Sequence, residues 1–541
     1  MPPSMPPEMM PQGPMGQPMQ PGPMGQPMPP MPEPMMGPSR PHGWRERWMR
    51  RFGMDLTVPL RGGELTMPNW LIGPSVLVFF ISFAACIIAF GYPMELLYAV
   101  VASLSVLLFF YGGKNLAASL ANKSEMYIIK RIFWIGFAVR IVWVLYNYYI
   151  FNPFYHNNTY GDTADTDWYM PFGKAIAEWL TGESQLSFEQ LRERWGAQID
   201  DVGYSLWLAI LFIITGKESD VFVPFVVKAV VSAYCAVCIY RVAKRHYGEG
   251  VAHMAAVFVA FNPNMIYWCG NMFKEAEMVF LCCLCVDLVD KALSSGKKLT
   301  FRSLLPGISV GFSLFFFRAA LGAVVFMAMF AHIIMVSSRV MSYGKKIIAG
   351  LLVAITLLVG VGDSLRTKTQ EMVEGAQSNR QQTNMEWRST RKDGGNSFAK
   401  YAGAAVFAPL IFTIPFPSFN VAEEGQILQR QLSGGSYIKN ILSFFVILVM
   451  FMMLISGEWR RHVFILAYTA GYLVVLVMSE FAQSGRFHMP VIPMLMLFAA
   501  YGIQIAKGNA KMRRWFQMAL VLEVVICLGW NWFKLKGRGM I

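Results

Sequence analysis

Residues 70–112 read WLIGPSVLVFFISFAACIIAFGYPMELLYAVVASLSVLLFFYG, with a single charged side chain, Glu95. A helix needs roughly 17–25 apolar residues to cross a hydrocarbon core about 30 Å thick, and two such segments, near 70–91 and 93–112, fit in this run. A bilayer offers no water to backbone N–H and C=O groups, and a helix satisfies them internally. Both segments therefore read as spanning helices.

The same pattern recurs outward from this stretch. Further spans are expected near 127–150, 220–240, 251–269, 276–294, 303–317, 319–338, 347–362, 436–456, 462–480, 489–507 and 515–533. The fold class is all-α, a polytopic transmembrane helix bundle of about 11–13 spans. Of 541 residues 55% are hydrophobic and only 15% charged. Soluble domains carry about 25% charged residues, so a chain of soluble domains is excluded.

The net charge is +14. A basic chain raises the question of nucleic acid, but here the cations sit in short caps between apolar runs, so no nucleic-acid partner is expected. Lys114, Lys123, Lys130 and Arg131 form one cap. Arg241, Lys244 and Arg245, then Lys297, Lys298 and Arg302, then Arg339, Lys345 and Lys346 form others, followed by Arg460/Arg461 and Lys507/Lys511/Arg513/Arg514. With these on one side, the positive-inside rule makes that side cytoplasmic. The basic end, Lys534–Ile541, falls on the opposite side and violates the rule locally. All eight cysteines lie in or beside apolar runs. Cys235-x-x-Cys238 therefore reads as packing within a helix rather than as a metal or redox motif.

Residues 1–39 are rich in Pro, Met, Gly and Gln, and GPMGQPM occurs twice, at Gly13–Met19 and Gly22–Met28. Such a segment cannot bury a core and is expected to be a disordered tail without a signal peptide. Residues 40–69 form a basic cytoplasmic segment. Trp44, Trp48 and Phe52 share one helical face and Arg45, Arg47, Arg50 and Arg51 fall largely off it, as in an amphipathic helix on an anionic membrane surface. Residues 70–541 form the transmembrane domain. Within it, 151–219 is the first large extracytoplasmic loop, with surface helices at Trp168–Leu180 and Phe188–Trp195. Tyr204–Thr215, too short to span comfortably, is expected to be re-entrant or interfacial. Residues 363–435 form a second extracytoplasmic segment.

Four stretches carry chemistry. Tyr160–Tyr169, YGDTADTDWY, holds Asp162, Asp165 and Asp167 within six residues. Clustered carboxylates raise one another's pKa, so one could act as a general base, or Asp162 and Asp165 could hold a divalent cation. The alternative is a solvated acidic turn with Asp167 capping the helix at Trp168. Asn262–Met278, NPNMIYWCGNMFKEAEM, places Lys274 and Glu275 at a turn between spans, either as an ion pair in a polar cavity or as ordinary helix ends. Glu480–Pro493, EFAQSGRFHMPVIP, brings Arg486 and His488 to the mouth of two spans, and Arg suits phosphate oxygens. Arg318, in FFFRAAL, lies between two apolar runs, where an Arg snorkels or binds an anion.

Taken in order, these stretches resemble the GT-C superfamily of membrane glycosyltransferases, which use polyprenyl-phosphate sugars; its members include dolichyl-phosphate-mannose protein mannosyltransferases and aminoarabinose transferases. YGDTADTDWY followed by FGKAIAEWLTG is similar to that family's acidic loop motif and surface helix. GYSLWLAILFIITG, the run from Arg241 to Glu275, and GRFHMPVIPMLMLFAAYGI resemble later segments, so the likeness covers about 127–507. Two spans precede the helix leading to the acidic loop, where the family commonly has one, and the aspartate spacing leaves the catalytic one open.

The resemblance implies transfer of a sugar, with inversion, from a polyprenyl-phosphate-linked donor to an extracytoplasmic glycan, lipid or protein hydroxyl. It implies Asp162, then Asp165 or Asp167, as the catalytic carboxylate. Arg486, Lys274, Arg318 and His488 would serve the donor phosphate, and Glu275 would orient Lys274. No cofactor is required, although Mg or Mn at the aspartates is allowed. The expected setting is the bacterial cytoplasmic membrane, among membrane lipids, with the active site outside. The rival classes are a flippase or transporter of lipid-linked saccharides, for which no inverted repeat is visible, and a noncatalytic membrane scaffold.

Overall fold

The computed structural model describes residues 67–91, 95–158, 160–161, 164–194, 202–216, 221–295, 300–336, 410–419, 428, 431, 434–478 and 484–536. The expectations for the amino-terminal tail, the basic segment to residue 66, the 347–362 span and most of 363–435 lie outside the described residues. Every regular element among the described residues is a helix. In chain order the α-helices of four residues or more are α1 (Asn69–Phe90), α2 (Leu96–Leu107), α3 (Gly113–Leu120), α4 (Glu125–Tyr146), α5 (Ala164–Leu180), α6 (Phe188–Arg194), α7 (Val202–Thr215), α8 (Phe222–Tyr247) and α9 (Glu249–Phe261). There follow α10 (Pro263–Tyr267), α11 (Glu275–Leu293), α12 (Phe301–Ser313), α13 (Ala319–Val336), α14 (Gly435–Ser456), α15 (Val463–Met478), α16 (Gly485–His488), α17 (Ile492–Lys507) and α18 (Ala510–Lys536).

Six helical stretches among the described residues are long and apolar enough to cross a membrane: Asn69–Phe90, Leu96–Leu120, Phe222–Tyr247, Gly435–Ser456, Gly485–Lys507 and Ala510–Lys536. Shorter apolar helices fill out the bundle. The chain is an all-α polytopic membrane protein. Helices α8, α9, α11 and α17 form the buried centre, while α1 and α18 pack on each other at the edge and expose Leu77, Ile88, Val521 and Val525. Apolar side chains on an outer face are what a lipid-facing surface requires.

Three boundaries differ from the sequence reading. Lys114, expected in a loop after the second span, lies inside a continuous helix, because a π turn at Leu108–Gly112 carries α2 into α3. Its ammonium donates to Asn69 Oδ1 at 2.8 Å. The helix expected to start at Trp168 begins at Ala164, so Asp167 lies within it and does not cap it. The span expected over 251–269 breaks at Asn262, whose side chain accepts from the Asn264 and Met265 N–H groups and caps α10.

This break explains a buried arginine. Pro263 has no N–H to offer the Val259 carbonyl four residues earlier, and the Asn264 N–H is taken by Asn262, which strands the Ala260 carbonyl. Arg140 of α4, fully buried, donates to Val259 O at 3.2 Å and Ala260 O at 2.8 Å, and to Ser232 Oγ at 2.8 Å. The guanidinium thus completes the carboxyl end of α9 and meets the negative end of its dipole.

Ion pairs fix the relative direction of α8 and α11. Lys228 and Glu277 meet near the start of both helices, and Arg245 meets Asp287 and Asp290 near their ends at 2.8 and 2.7 Å. The two run parallel, with Lys228 and Arg245 roughly 25 Å apart along α8 at 1.5 Å per residue. The bundle therefore has one end at Glu277 and another at Arg245. At the Arg245 end, Lys244 pairs with Glu125 and Glu249, and His246 with Asp290.

Candidate functional site

The turn Asn271–Lys274, between the break in α9–α10 and the start of α11, carries the site. Glu275 opens α11 with no exposed surface. Its Oε1 accepts from Arg486 Nε of α16 at 2.5 Å and lies 3.9 Å from Arg318 Nη2, in the turn before α13. Two segments far from it in sequence thus converge on one carboxylate. An aromatic ring lies beside each cation. Arg486 lies 4.5 Å from the Phe273 ring centroid, and Arg318 lies 4.4 Å from that of Phe487. Arg318 also donates to Tyr472 Oη at 2.8 Å. Planar guanidinium groups suit both stacking and the bidentate geometry of phosphate oxygens.

Glu275, expected to orient Lys274, is also engaged with the two arginines. Lys274 is buried at the N-cap of α11, beside that carboxylate. The Nδ1 of His488 lies 3.2 Å from Lys439 Nζ of α14. Lys439 also donates to the Ile414 carbonyl.

The acidic stretch approaches the same turn. The Met272 N–H donates to the Tyr160 carbonyl at 3.0 Å, three residues from Glu275 on one side and two from Asp162 on the other. Tyr160 has φ 54°, a left-handed conformation that is rare for a bulky side chain and typical of strained functional turns. Its ring stacks on Tyr148 at 6.2 Å and meets Phe225 edge-on at 5.4 Å, which holds the turn. Asp162 and the side chain of Asp165 lie outside the described residues, and Asp167 is exposed on α5. Among the described residues no group of three His, Cys, Asp or Glu side chains could hold a metal ion. All eight cysteines are buried free thiols.

Helix α7 closes one flank. A Cβ on its Gly203 would stand 2.7 Å from the Phe316 carbonyl, so only glycine permits this approach to the turn that carries Arg318. Tyr169, Phe172, Ile176 and Ala177 of α5 are buried on a single face, and α5 lies against α7 through it.

Residues 198–365 match the model of the Alg9-like mannosyltransferase family. That family is of the GT-C type of membrane glycosyltransferases. Over this stretch the chain is GT-C-like. The matched residues include α7–α9, the Glu275 turn and Arg318. Arg486 lies beyond them and joins the site only through the fold. The GT-C-like match supports a membrane glycosyltransferase. No curated protein and no solved structure matches the chain.

Sequence reasoning missed the buried cations Lys228, Lys439 and Arg140, and Glu277. Lys228 sits in FVPFVVKAVV, and a lone lysine within an apolar span was the available signal.

Proposed function

We propose that the GT-C-like chain transfers a sugar from a polyprenyl-phosphate carrier to a hydroxyl of a glycan, lipid or protein acceptor, inverting the anomeric carbon. The observation that carries this reading is the convergence of Arg318 and Arg486 on buried Glu275, in a turn hydrogen-bonded to the start of the acidic stretch. With Lys274, three cations surround one carboxylate. A phosphate monoester leaving group carries roughly −1.5 to −2 at neutral pH, which such an excess of positive charge accommodates.

Asp162, or failing it Asp165 or Asp167, takes the proton of the acceptor hydroxyl. The hydroxyl oxygen bonds to the anomeric carbon, the bond from that carbon to the phosphate oxygen breaks, and its electron pair leaves on the phosphate. Arg486 and Arg318 meet the developing charge. The route needs no metal, and Mg or Mn would bind, if at all, through Asp162 and Asp165. Basic residues cluster at the Arg245 end. The positive-inside rule turns that end to the cytoplasm and the Glu275 end outward, as in a bacterial cytoplasmic-membrane enzyme acting on extracytoplasmic acceptors.

The test is release of free polyprenyl phosphate from a panel of radiolabelled polyprenyl-phosphate sugars, with protein in nanodiscs and acceptor extract present. Release by the wild type that is lost in Asp162→Asn supports the reading. Movement of intact donor between leaflets without consumption would make the chain a transporter.

A further inference from the structure

We propose that Lys228 is a positioning residue for the arginine site, linking the helix of the acidic stretch to the ring on which Arg486 rests. The inference rests on the phosphate-binding reading of Arg486 and goes beyond it.

Lys228 lies in α8 with no exposed surface. Its Nζ has three neighbours from three elements. It pairs with Glu277 Oε2 of α11 at 3.0 Å, donates to the Phe273 carbonyl, and lies 4.5 Å from the Tyr204 ring centroid of α7. An ion pair alone would need only Glu277. The contact with Phe273 is different in kind, because Phe273 precedes the N-cap Lys274 and its carbonyl lies outside the α11 hydrogen-bond ladder. Lys228 ties this carbonyl to α8.

The Phe273 ring faces Arg486 at 4.5 Å, so the position of that ring sets where the guanidinium lies. On the other flank, Tyr204 Oη donates to Met272 Sδ at 3.0 Å, and Tyr204 packs edge-on against Tyr169 of α5 at 4.9 Å. A continuous set of contacts therefore runs from α5, which begins inside the acidic stretch, through Tyr169, Tyr204, Lys228 and Phe273 to Arg486. A displacement of about 1 Å in a positioned group is enough to cost a large factor in binding or rate.

The experiment compares charge-neutral double variants, since replacing both members of a buried pair avoids leaving one charge unpaired. Lys228→Met with Glu277→Met removes the pair and the donor to Phe273. Lys228→Gln with Glu277→Gln removes the charges and keeps an amide donor. Each is measured in nanodiscs for polyprenyl-phosphate binding, read from the concentration dependence of the thermal midpoint, and for KM of donor and acceptor. The Met pair is expected to bind polyprenyl phosphate about tenfold more weakly, the equivalent of one charge-assisted hydrogen bond, with acceptor KM unchanged. The Gln pair is expected to recover most of that loss. Phe273→Leu should produce a similar loss by itself and add little to the Met pair, because both act through the same ring.

Equal binding by the Met pair and the wild type, or full additivity with Phe273→Leu, overturns the role of Lys228. Arg486→Ala separates this from failure of the underlying reading. If Arg486→Ala binds polyprenyl phosphate as the wild type does, the phosphate site is wrong and the inference falls with it. If Arg486→Ala loses binding and the Met pair keeps it, only the inference falls. Where the Met pair does not fold, Phe273→Leu with the Gln pair decides, since unweakened binding by Phe273→Leu refutes the path.

Discussion

Glu275→Gln removes the one carboxylate on which Arg318 and Arg486 converge, while preserving size and shape. In the wild type the nearer contact is 2.5 Å and the farther 3.9 Å, and the carboxylate is fully buried. At ~4 Å and an effective dielectric of about 20, each charge pair is worth roughly 4 kcal/mol before desolvation. Removing one partner of a buried pair typically costs about 3–5 kcal/mol, because the remaining charges stay desolvated. Here two guanidinium groups are left facing each other, so the upper part of that range applies. The ligand-free variant should therefore melt several degrees below the wild type in nanodiscs. An added phosphate should then do what the carboxylate did. Polyprenyl phosphate is expected to raise the midpoint of Glu275→Gln more than that of the wild type, since it supplies the missing negative charge and binding stabilises the folded state by mass action. The assay is a thermal melt of both proteins across a polyprenyl-phosphate titration. Equal midpoints without ligand, or an equal response to it, would refute the claim that this carboxylate is the counter-ion of a phosphate site.

Arg486→Ala should lower turnover at least a hundredfold, in the range seen when a transition-state charge donor is removed, while detergent-extracted protein elutes as the wild type; normal turnover would remove Arg486 from the site. Arg140→Met should destabilise the protein by about 2–4 kcal/mol, because it strands the Val259 and Ala260 carbonyls; a melt within a degree of the wild type would show that those groups find other partners. His462, in the turn between α14 and α15, has its pKa held down to about 4, first by burial and then by the neighbouring His246. The neutral ring is the folded form, and the unfolded chain binds the extra proton between about pH 6.5 and 4, so stability is full above that window and falls as pH drops through it. At pH 5 the loss should be about 2 kcal/mol. His462→Phe, which can still stack on Tyr247, should flatten the drop in melting temperature between pH 7 and pH 5; an unchanged drop would assign the acid sensitivity elsewhere.

The helical membrane class was legible in residues 70–112 and their repeats, because a bilayer imposes length and backbone satisfaction on each segment separately. The amphipathic face of α5 and the glycosyltransferase resemblance could likewise be read from local order and spacing. Local pattern also singled out Glu275, Arg318 and Arg486, but as separate candidates. Only the tertiary structure brought these three together, since Arg486 lies 211 residues from Glu275 and no periodicity encodes that meeting. The same holds for Lys228, which hydropathy absorbs into an apolar span, and whose burial makes sense only beside Glu277 and the Phe273 carbonyl. The break in α9 was foreshadowed by Pro263, but its completion by Arg140 was not. A proline announces stranded carbonyls locally, whereas the side chain that satisfies them comes from whichever helix packs there. Segment-by-segment physics, in which each helix must suit the lipid alone, was thus written in the sequence. The pairing of buried charges was decided by which helices became neighbours, because desolvation makes a cation tolerable only where the packing brings it an acceptor.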